Sequence, residues 1–402
     1  MRFLLLNQAF YPDVVSTAQH LSDLALGLVE RGHEVTVVTS RRAYDDPETR
    51  FPKHEVWRGI KIVRVGSSGF GKGARWRRAV DFASFLAACS ARLAMLPRQD
   101  VVVALTSPPL ISFLGASLTR ARGGRFFHWV MDLNPDEAIA AGWLRQDSLA
   151  ARGLERVSRF SLGRAARIIA LDRFMRDRVA AKGIPVEQIS VIAPWSQDEL
   201  VKFDPAGRES FRRAHALDGK FVVMHSGNHS PCHPLDTFLA AAERLKSDDS
   251  LAFCFVGGGS EFGRVKRWAS QVGHRNLLCL PYQPLSQLSA SLSAADLHLA
   301  VMGEPFVGLV HPCKIYNILS VGAPVLYLGP QPSHITDILQ ASLPNYPSAT
   351  APHGDPEAIV HAIQQFRARA WDPRPTLPAS ACRPFSRQTL LPKLIAELES
   401  SQ

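Results

Sequence analysis

The stretch "HPCKIYNILSVGAPVLYLGP", residues 311–330, decides how this chain is read. Ile315, Ile318 and Leu319 recur at helical spacing, Gly322 stops the helix, and Pro324 prevents its resumption. Pro312 suits the first helical turn, where a backbone N–H would have no partner anyway. The run "PVLYLG" that follows has the length and composition of a buried strand. A helix leading straight into a buried strand is one step of a parallel sheet covered on both faces.

The same step recurs on the N-terminal side of this stretch. "FVVMHSG" (221–227), a helix through "LDTFLAAAERL" (235–245), "LAFCFVGGG" (251–259), "NLLCLP" (276–281) and "DLHLAVM" (296–302) form one series. "FLLLN" (3–7), a helix through "TAQHLSDLALGLVERG" (17–32), "EVTVVTS" (34–40), "DVVVALTS" (100–107), "RFFHWVMD" (125–132) and "RIIAL" (167–171) form another. A chain of 402 residues exceeds what one core usually supports, so each series is assigned its own domain. Residues 186–205, "VEQISVIAPWSQDELVKFDP", lie between them with Pro194 and Pro205 and read as a hinge. The expected fold class is therefore α/β, with two Rossmann-like doubly wound parallel sheets whose strand C-termini face a central cleft.

Composition narrows the function. With 46% hydrophobic and 20% charged residues the chain is neither disordered nor polytopic. The most apolar run, "FASFLAACSARLAML" from Phe82, is short of a membrane span and contains Arg92. "MRFLLLNQAFYPD" lacks a cleavage site and reads as a first strand, so a cytoplasmic protein is expected. The six cysteines are scattered without paired spacing and read as reduced thiols.

The net charge of +10 is uneven: residues 1–196 hold 28 Lys and Arg against 18 Asp and Glu, and residues 197–402 hold 18 of each. Lys72, Arg75, Arg77 and Arg78, with Trp76 among them, precede the apolar helical run. This reads equally as a helix at an anionic membrane surface or as a solvated basic turn leading into a core helix. No nucleic-acid-binding signature accompanies the charge, so no nucleic-acid partner is expected.

Several loops carry candidate chemistry. In "PDVVST" (12–17), Ser16 or Thr17 can cap the next helix, whose amides could also meet an anion. Asp132 follows an apolar strand, Asp136 and Glu137 charge the first turn of a helix, and alternation puts His128 opposite Trp129 and Met131. Gly227 and Asn228 allow a tight turn where a phosphate can approach the backbone. His225, His229, Cys232 and His233 are metal-ligand types, but their spacing fits no zinc module, and no metal is expected. The front of the helix in 311–330 offers free amides and half a positive charge. Lys314 there is poorly placed unless an anion arrives, so a diphosphate is expected at that end.

Taken with "FYPD", "MDLNPDE", "SGNHSPCHPLDTF", "FVGGGSEF" and "GEPFVGLVHPCKIYNIL", the pattern resembles the family 4 glycosyltransferases of GT-B architecture, of the bacterial surface-polysaccharide and glycolipid type. The resemblance implies an acceptor domain over residues 1–195, a donor domain over 196–380, and a C-terminal helix in 381–402 packing back on the first. It implies a retaining, metal-independent hexosyltransferase with no cofactor. Such an enzyme would move sugar from a nucleotide diphosphate donor to a lipid-linked or glycolipid acceptor, and sit peripherally on the inner face of the cell membrane.

By the same resemblance, Gly227, Asn228, His229, His233, Gly258, Tyr282, Phe306, Val307, Gly308, Leu309, Tyr316 and Asn317 bind donor. Pro12, Ser16 and Thr17 meet acceptor, and Lys314, Glu304, Asp132 and His128 are catalytic. The family's second glutamate falls on Asn317, its basic pair on Pro231 and His233, and the histidine of its "HD" pair on Met131. Lys314 with His229 or His233 is therefore expected to neutralise the leaving diphosphate. Two other readings are a non-catalytic sugar-nucleotide-binding partner subunit and a sugar-nucleotide epimerase, the latter disfavoured by the "HPCKIYNIL" helix.

Overall fold

The computed structural model describes residues 1–400 except 45, 47, 71–74, 197–199, 274 and 370–381. Lys72 of the basic run, residues 197–199 of the segment read as a hinge, and the boundary read at 380/381 lie outside the described residues. By internal contacts the chain forms two units. One is Met1–Pro194 with Gly308–His311 and Gln388–Gln402; the other is Trp195–Val307 with Pro312–Arg387.

The sheet of the first unit contains β1 (Arg2–Leu6), β2 (Glu34–Ser40), β3 (His54–Trp57), β4 (Ile60–Val65), β5 (Val101–Ala104), β6 (Arg125–Trp129), β7 (Arg167–Ala170) and β8 (Ile189–Val191). Their order is β3-β4-β2-β1-β5-β6-β7-β8, and every pair is parallel except β3 with β4. The unbroken apolar run Phe3–Leu6 belongs in the middle of such a sheet, where both faces are covered, and those four residues have no exposed surface. The helix Arg387–Glu399 packs on this unit. Its Glu399 reaches Arg31 at 2.6 Å and His33 at 2.7 Å, and its Glu397 reaches Arg167 at 2.7 Å.

The second unit has β9 (Phe221–Asn228), β10 (Leu251–Gly258), β11 (Leu277–Leu280), β12 (Leu297–Val301), β13 (Val325–Leu328) and β14 (Ser348–Ala351). They are all parallel, in the order β11-β10-β9-β12-β13-β14. One face packs around Phe238, Phe253, Phe255 and Ile363, the other around Met224, Cys254 and Val256. The order steps from β9 to β10 on one side and from β9 to β12 on the other. The loops after β9, β10 and β12 therefore meet at the reversal point where open parallel sheets bind ligands.

Four strands escape the apolar alternation. β4 carries Lys61 and Arg64, β3 is a short antiparallel edge, β14 is "SATA", and β8 falls inside the segment read as a hinge. The helix read from Pro312 spans Lys314–Val321, with Cys313 as its N-cap. Gly322 closes it in the left-handed conformation, at φ 68°.

Candidate functional site

β9 runs into the turn at Gly227 and Asn228, and the turn is packed too tightly for larger residues. Gly227 has φ +124°, and a Cβ there would lie 2.8 Å from Lys314 Cε. Gly259, at φ +118° after β10, leaves room for Asn228 Oδ1 and the His229 carbonyl, which a Cβ would strike. The His229 N–H donates to the Gly258 carbonyl at 2.7 Å, joining the two loops.

Lys314 opens the helix Lys314–Val321, and its side chain leans back toward the helix front. Its Nζ donates to the Asn228 carbonyl at 2.8 Å and lies 3.0 Å from His225 Nε2. His225 Nδ1 is 3.0 Å from the Leu299 carbonyl. A carbonyl cannot donate, so Nδ1 carries the proton and Nε2 is left as an acceptor. The same reasoning fixes His229, whose Nδ1 meets the Gly227 carbonyl at 3.0 Å, and His233, whose Nδ1 meets the Val301 carbonyl at 2.8 Å.

Burial, helped by Lys314, pulls His229 down to about 4 and holds His225 and His233 well below the ordinary histidine value. At neutral pH these histidines offer lone pairs, whereas the sequence reading gave His229 or His233 a share of the positive charge. Two causes remove that charge: the imidazoles are closed off from water, and Lys314 already occupies the site. Burial also pulls the Lys314 ammonium down to about 7. Among the described residues no carboxylate is paired with it.

The other residues predicted at the donor site fall into four settings. Glu304 is exposed in the short turn Glu304–Phe306, which the Gly303 N–H ties to the Cys232 carbonyl at 2.9 Å. The half-exposed Tyr282 ring lies against Gly258, leaving no room for a Cβ there. Tyr316 is buried, its ring 5.6 Å from that of Phe385, while Asn317 on the same helix is half-buried. Phe306 and Val307 belong to the second unit, and Gly308 and Leu309 to the first, where the Leu309 carbonyl accepts from the Leu133 N–H at 2.7 Å.

In the first unit, Asp132 lies just past β6, its N–H donating to Thr106 Oγ1 at 3.2 Å. Burial, reinforced by Glu137, pushes its carboxyl well above the usual carboxylate range. Glu137 is also raised by burial, opposed by the Asn134 amide donating to it at 3.0 Å and by Arg78. Asp132 and Glu137 thus form a pair that resists full ionisation. His128 is buried, neither ring nitrogen has a partner, and burial pulls it to about 4. Pro12 follows a cis peptide bond after Tyr11. Ser16 and Thr17 sit inside the first helical turn, where Val15 is the N-cap without a side-chain bond, so neither hydroxyl caps the helix as the sequence suggested.

Sequence reasoning missed two partnerships here. Glu137 was read as a charge on the first turn of a helix, and its approach to Asp132 depends on the turn at Asn134. His225 was noted only as a metal-ligand type; its alternation on β9 gives its face, but nothing local reveals a partner 89 residues away.

Residues 17–195 match the glycosyl transferase 4-like domain. The chain is 25% identical over 344 residues to the putative colanic acid biosynthesis glycosyl transferase WcaI of Escherichia coli K12, covering 80% of this chain and 82% of that one. It is 26% identical over 269 residues to the probable glycosyltransferase WbjE of Pseudomonas aeruginosa, a match spanning 67% of this chain and 66% of the relative. The structure of Anabaena HepE in complex with UDP-glucose superposes with a TM-score of 0.72 at 14% identity, covering 99% of both chains. Residues 17–195 thus carry a glycosyl transferase 4-like domain, the chain as a whole is similar to glycosyltransferases, and its two parallel sheets have the GT-B fold.

Proposed function

We propose that this protein is a retaining hexosyltransferase. It moves a sugar from a nucleotide diphosphate donor to a lipid-linked or glycolipid acceptor in bacterial surface-polysaccharide or glycolipid synthesis. The observation that carries the reading is Lys314: an enclosed cation, held at a glycine turn and at the front of a helix, with neutral acceptors around it and, among the described residues, no carboxylate paired to it. A buried cation without a counter-ion is costly, and a bound diphosphate supplies one. HepE, of similar fold, is in complex with UDP-glucose.

In the proposed reaction the second unit holds the donor. Tyr282 over Gly258 offers a ring face to the base, and the turn at Gly227 and Asn228 approaches the diphosphate. As the sugar–phosphate bond breaks, negative charge grows on the departing diphosphate. Lys314 and the first amides of its helix stabilise that charge without a metal. Glu304 contacts the donor sugar, and the pair Asp132 and Glu137 supports the acceptor from the first unit.

The helix Arg75–Ala94 supports attachment to the inner face of the cell membrane. Trp76 is 60% exposed, with Arg77 stacked on its ring, and no helix of the described residues is long and apolar enough to cross a membrane.

The deciding experiment incubates the pure protein with UDP-, GDP- and dTDP-sugars and lipid-linked acceptors, with and without EDTA. Transfer that survives EDTA and retains the anomeric configuration supports the proposal. Binding alone would favour a partner subunit, and an isomerised donor would favour an epimerase. Sedimentation with anionic vesicles at low and high salt tests the membrane reading, which fails if no binding occurs at low salt.

A further inference from the structure

We propose that His225 is a positioning residue for the transfer reaction: its Nε2 accepts a hydrogen bond from Lys314 and holds that ammonium over the Gly227–Asn228 turn, where the donor's diphosphate binds. The inference rests on the donor-site reading above and assigns a role to a residue outside the predicted donor contacts.

Three features carry it. First, the bond from His225 Nδ1 to the Leu299 carbonyl fixes both the tautomer and the ring plane, because Leu299 belongs to β12, the strand next to β9. The acceptor lone pair on Nε2 is therefore built into the sheet. Second, the Lys314 ammonium has two neighbours within hydrogen-bond distance, the Asn228 carbonyl at 2.8 Å and His225 Nε2 at 3.0 Å. Both acceptors lie in the C-terminal half of β9, at His225 and at its last residue Asn228, so they define where the flexible lysine stem ends. Third, among the described residues no carboxylate is paired with the ammonium: His225, His229 and His233 are neutral imidazoles, Cys232 is near enough to favour the charged lysine, and His334 acts on His233. The hydrogen bond to His225 is thus a principal support of the charged lysine before donor arrives.

Two consequences follow. A lysine poised near neutrality gains its proton when a diphosphate binds, so nucleotide affinity falls as the medium becomes more alkaline than the empty site tolerates. Removing the imidazole acceptor weakens the ammonium further and moves that alkaline limit to lower pH.

The test compares His225→Asn with His225→Gln. Asparagine can keep a donor near the Nδ1 position for Leu299 but places nothing at Nε2; glutamine can place an amide oxygen where Nε2 lay. Affinity is measured by calorimetric titration with UDP, GDP and dTDP, using the tightest binder, from pH 6 to 9. The asparagine variant should bind roughly tenfold more weakly at pH 7, with its alkaline limit shifted down, and glutamine should restore affinity to within about threefold. Equal behaviour of the two folded variants, or an unmoved alkaline limit, overturns the proposal. Failure of the wild-type protein to bind any of the three, or unchanged affinity in Lys314→Met, instead overturns the donor-site reading on which it rests. Should the asparagine variant not fold, nitrogen NMR of histidine-labelled wild-type protein decides: an Nε2–H tautomer at His225 overturns the proposal, and an Nδ1–H tautomer that shifts as Lys314 titrates supports it.

Discussion

Arg64 in the first unit and Lys314 in the second are both cations drawn out of water, and they are satisfied in opposite ways. Arg64 has a side chain 1% exposed, a carboxylate partner in Glu55 at 2.6 Å, the Tyr11 carbonyl at 2.8 Å, and the Phe51 ring 5.2 Å away. Its charge is answered within the fold. Lys314 has a neutral imidazole and a carbonyl, and burial pulls it down to about 7. On the proposed reading, the difference separates a charge that holds structure from one that waits for a ligand. A fold gains from closing a cation against its own carboxylate, whereas a site for an anion has to leave that partner out.

The largest effect expected from this contrast is on catalysis. Lys314→Met keeps the stem and deletes the charge; kcat should fall on the order of 100-fold, as for other donors to a developing anion, with no loss of stability to urea at pH 7. Turnover measured by nucleoside diphosphate release checks it, and near-normal turnover would break the comparison. The reverse is expected of Glu55→Ala. Arg64 would lose its carboxylate while staying buried, and because Glu55 is partly exposed, stability should drop by about 2 kcal/mol, less than for a fully buried pair. Unfolding in urea reads that loss, and an unchanged midpoint would mean Arg64 does not depend on its partner.

Opposite pH slopes sharpen the comparison. Lys314 binds its proton more weakly in the folded chain than in the unfolded one, where its pKa is ordinary, so its contribution to stability rises between pH 7 and roughly 10. Asp132 does the reverse: the folded chain holds the proton beyond the usual carboxylate range, and stability falls as pH climbs from roughly 4 through the raised value. Asp132→Asn should flatten that fall while Lys314→Met removes the rise, both visible in melting temperature against pH. The smallest effect is at Glu399, which is one-quarter exposed. Its replacement by alanine should cost no more than about 1 kcal/mol, and a larger loss in urea would make the C-terminal helix a stronger clamp on the first unit than its exposed ion pairs suggest.

What was legible in the sequence had local causes. The buried strands β1, β2, β5, β9, β10, β12 and β13 announce themselves because parallel strands covered on both faces need continuous apolar runs. The Gly322 stop and the stripe of Ile315, Ile318 and Leu319 follow from helix geometry in the same direct way. β4 was obscured because a charged residue inside a strand is silenced only by a partner from elsewhere, as Glu55 does for Arg64, and β8 because its three residues, Ile189–Val191, are too short a run to stand out. Lys314 could be suspected from its place at a helix front.

The sequence by itself determined the two rounds of strand and helix, the uneven charge, and which loops follow the strand C-termini of each sheet. Tertiary structure alone decided which ionisable groups keep their charge. Protonation depends on water excluded and partners supplied by residues far away along the chain, as when β12 sets the tautomer of His225 on β9 and a turn brings Glu137 to Asp132.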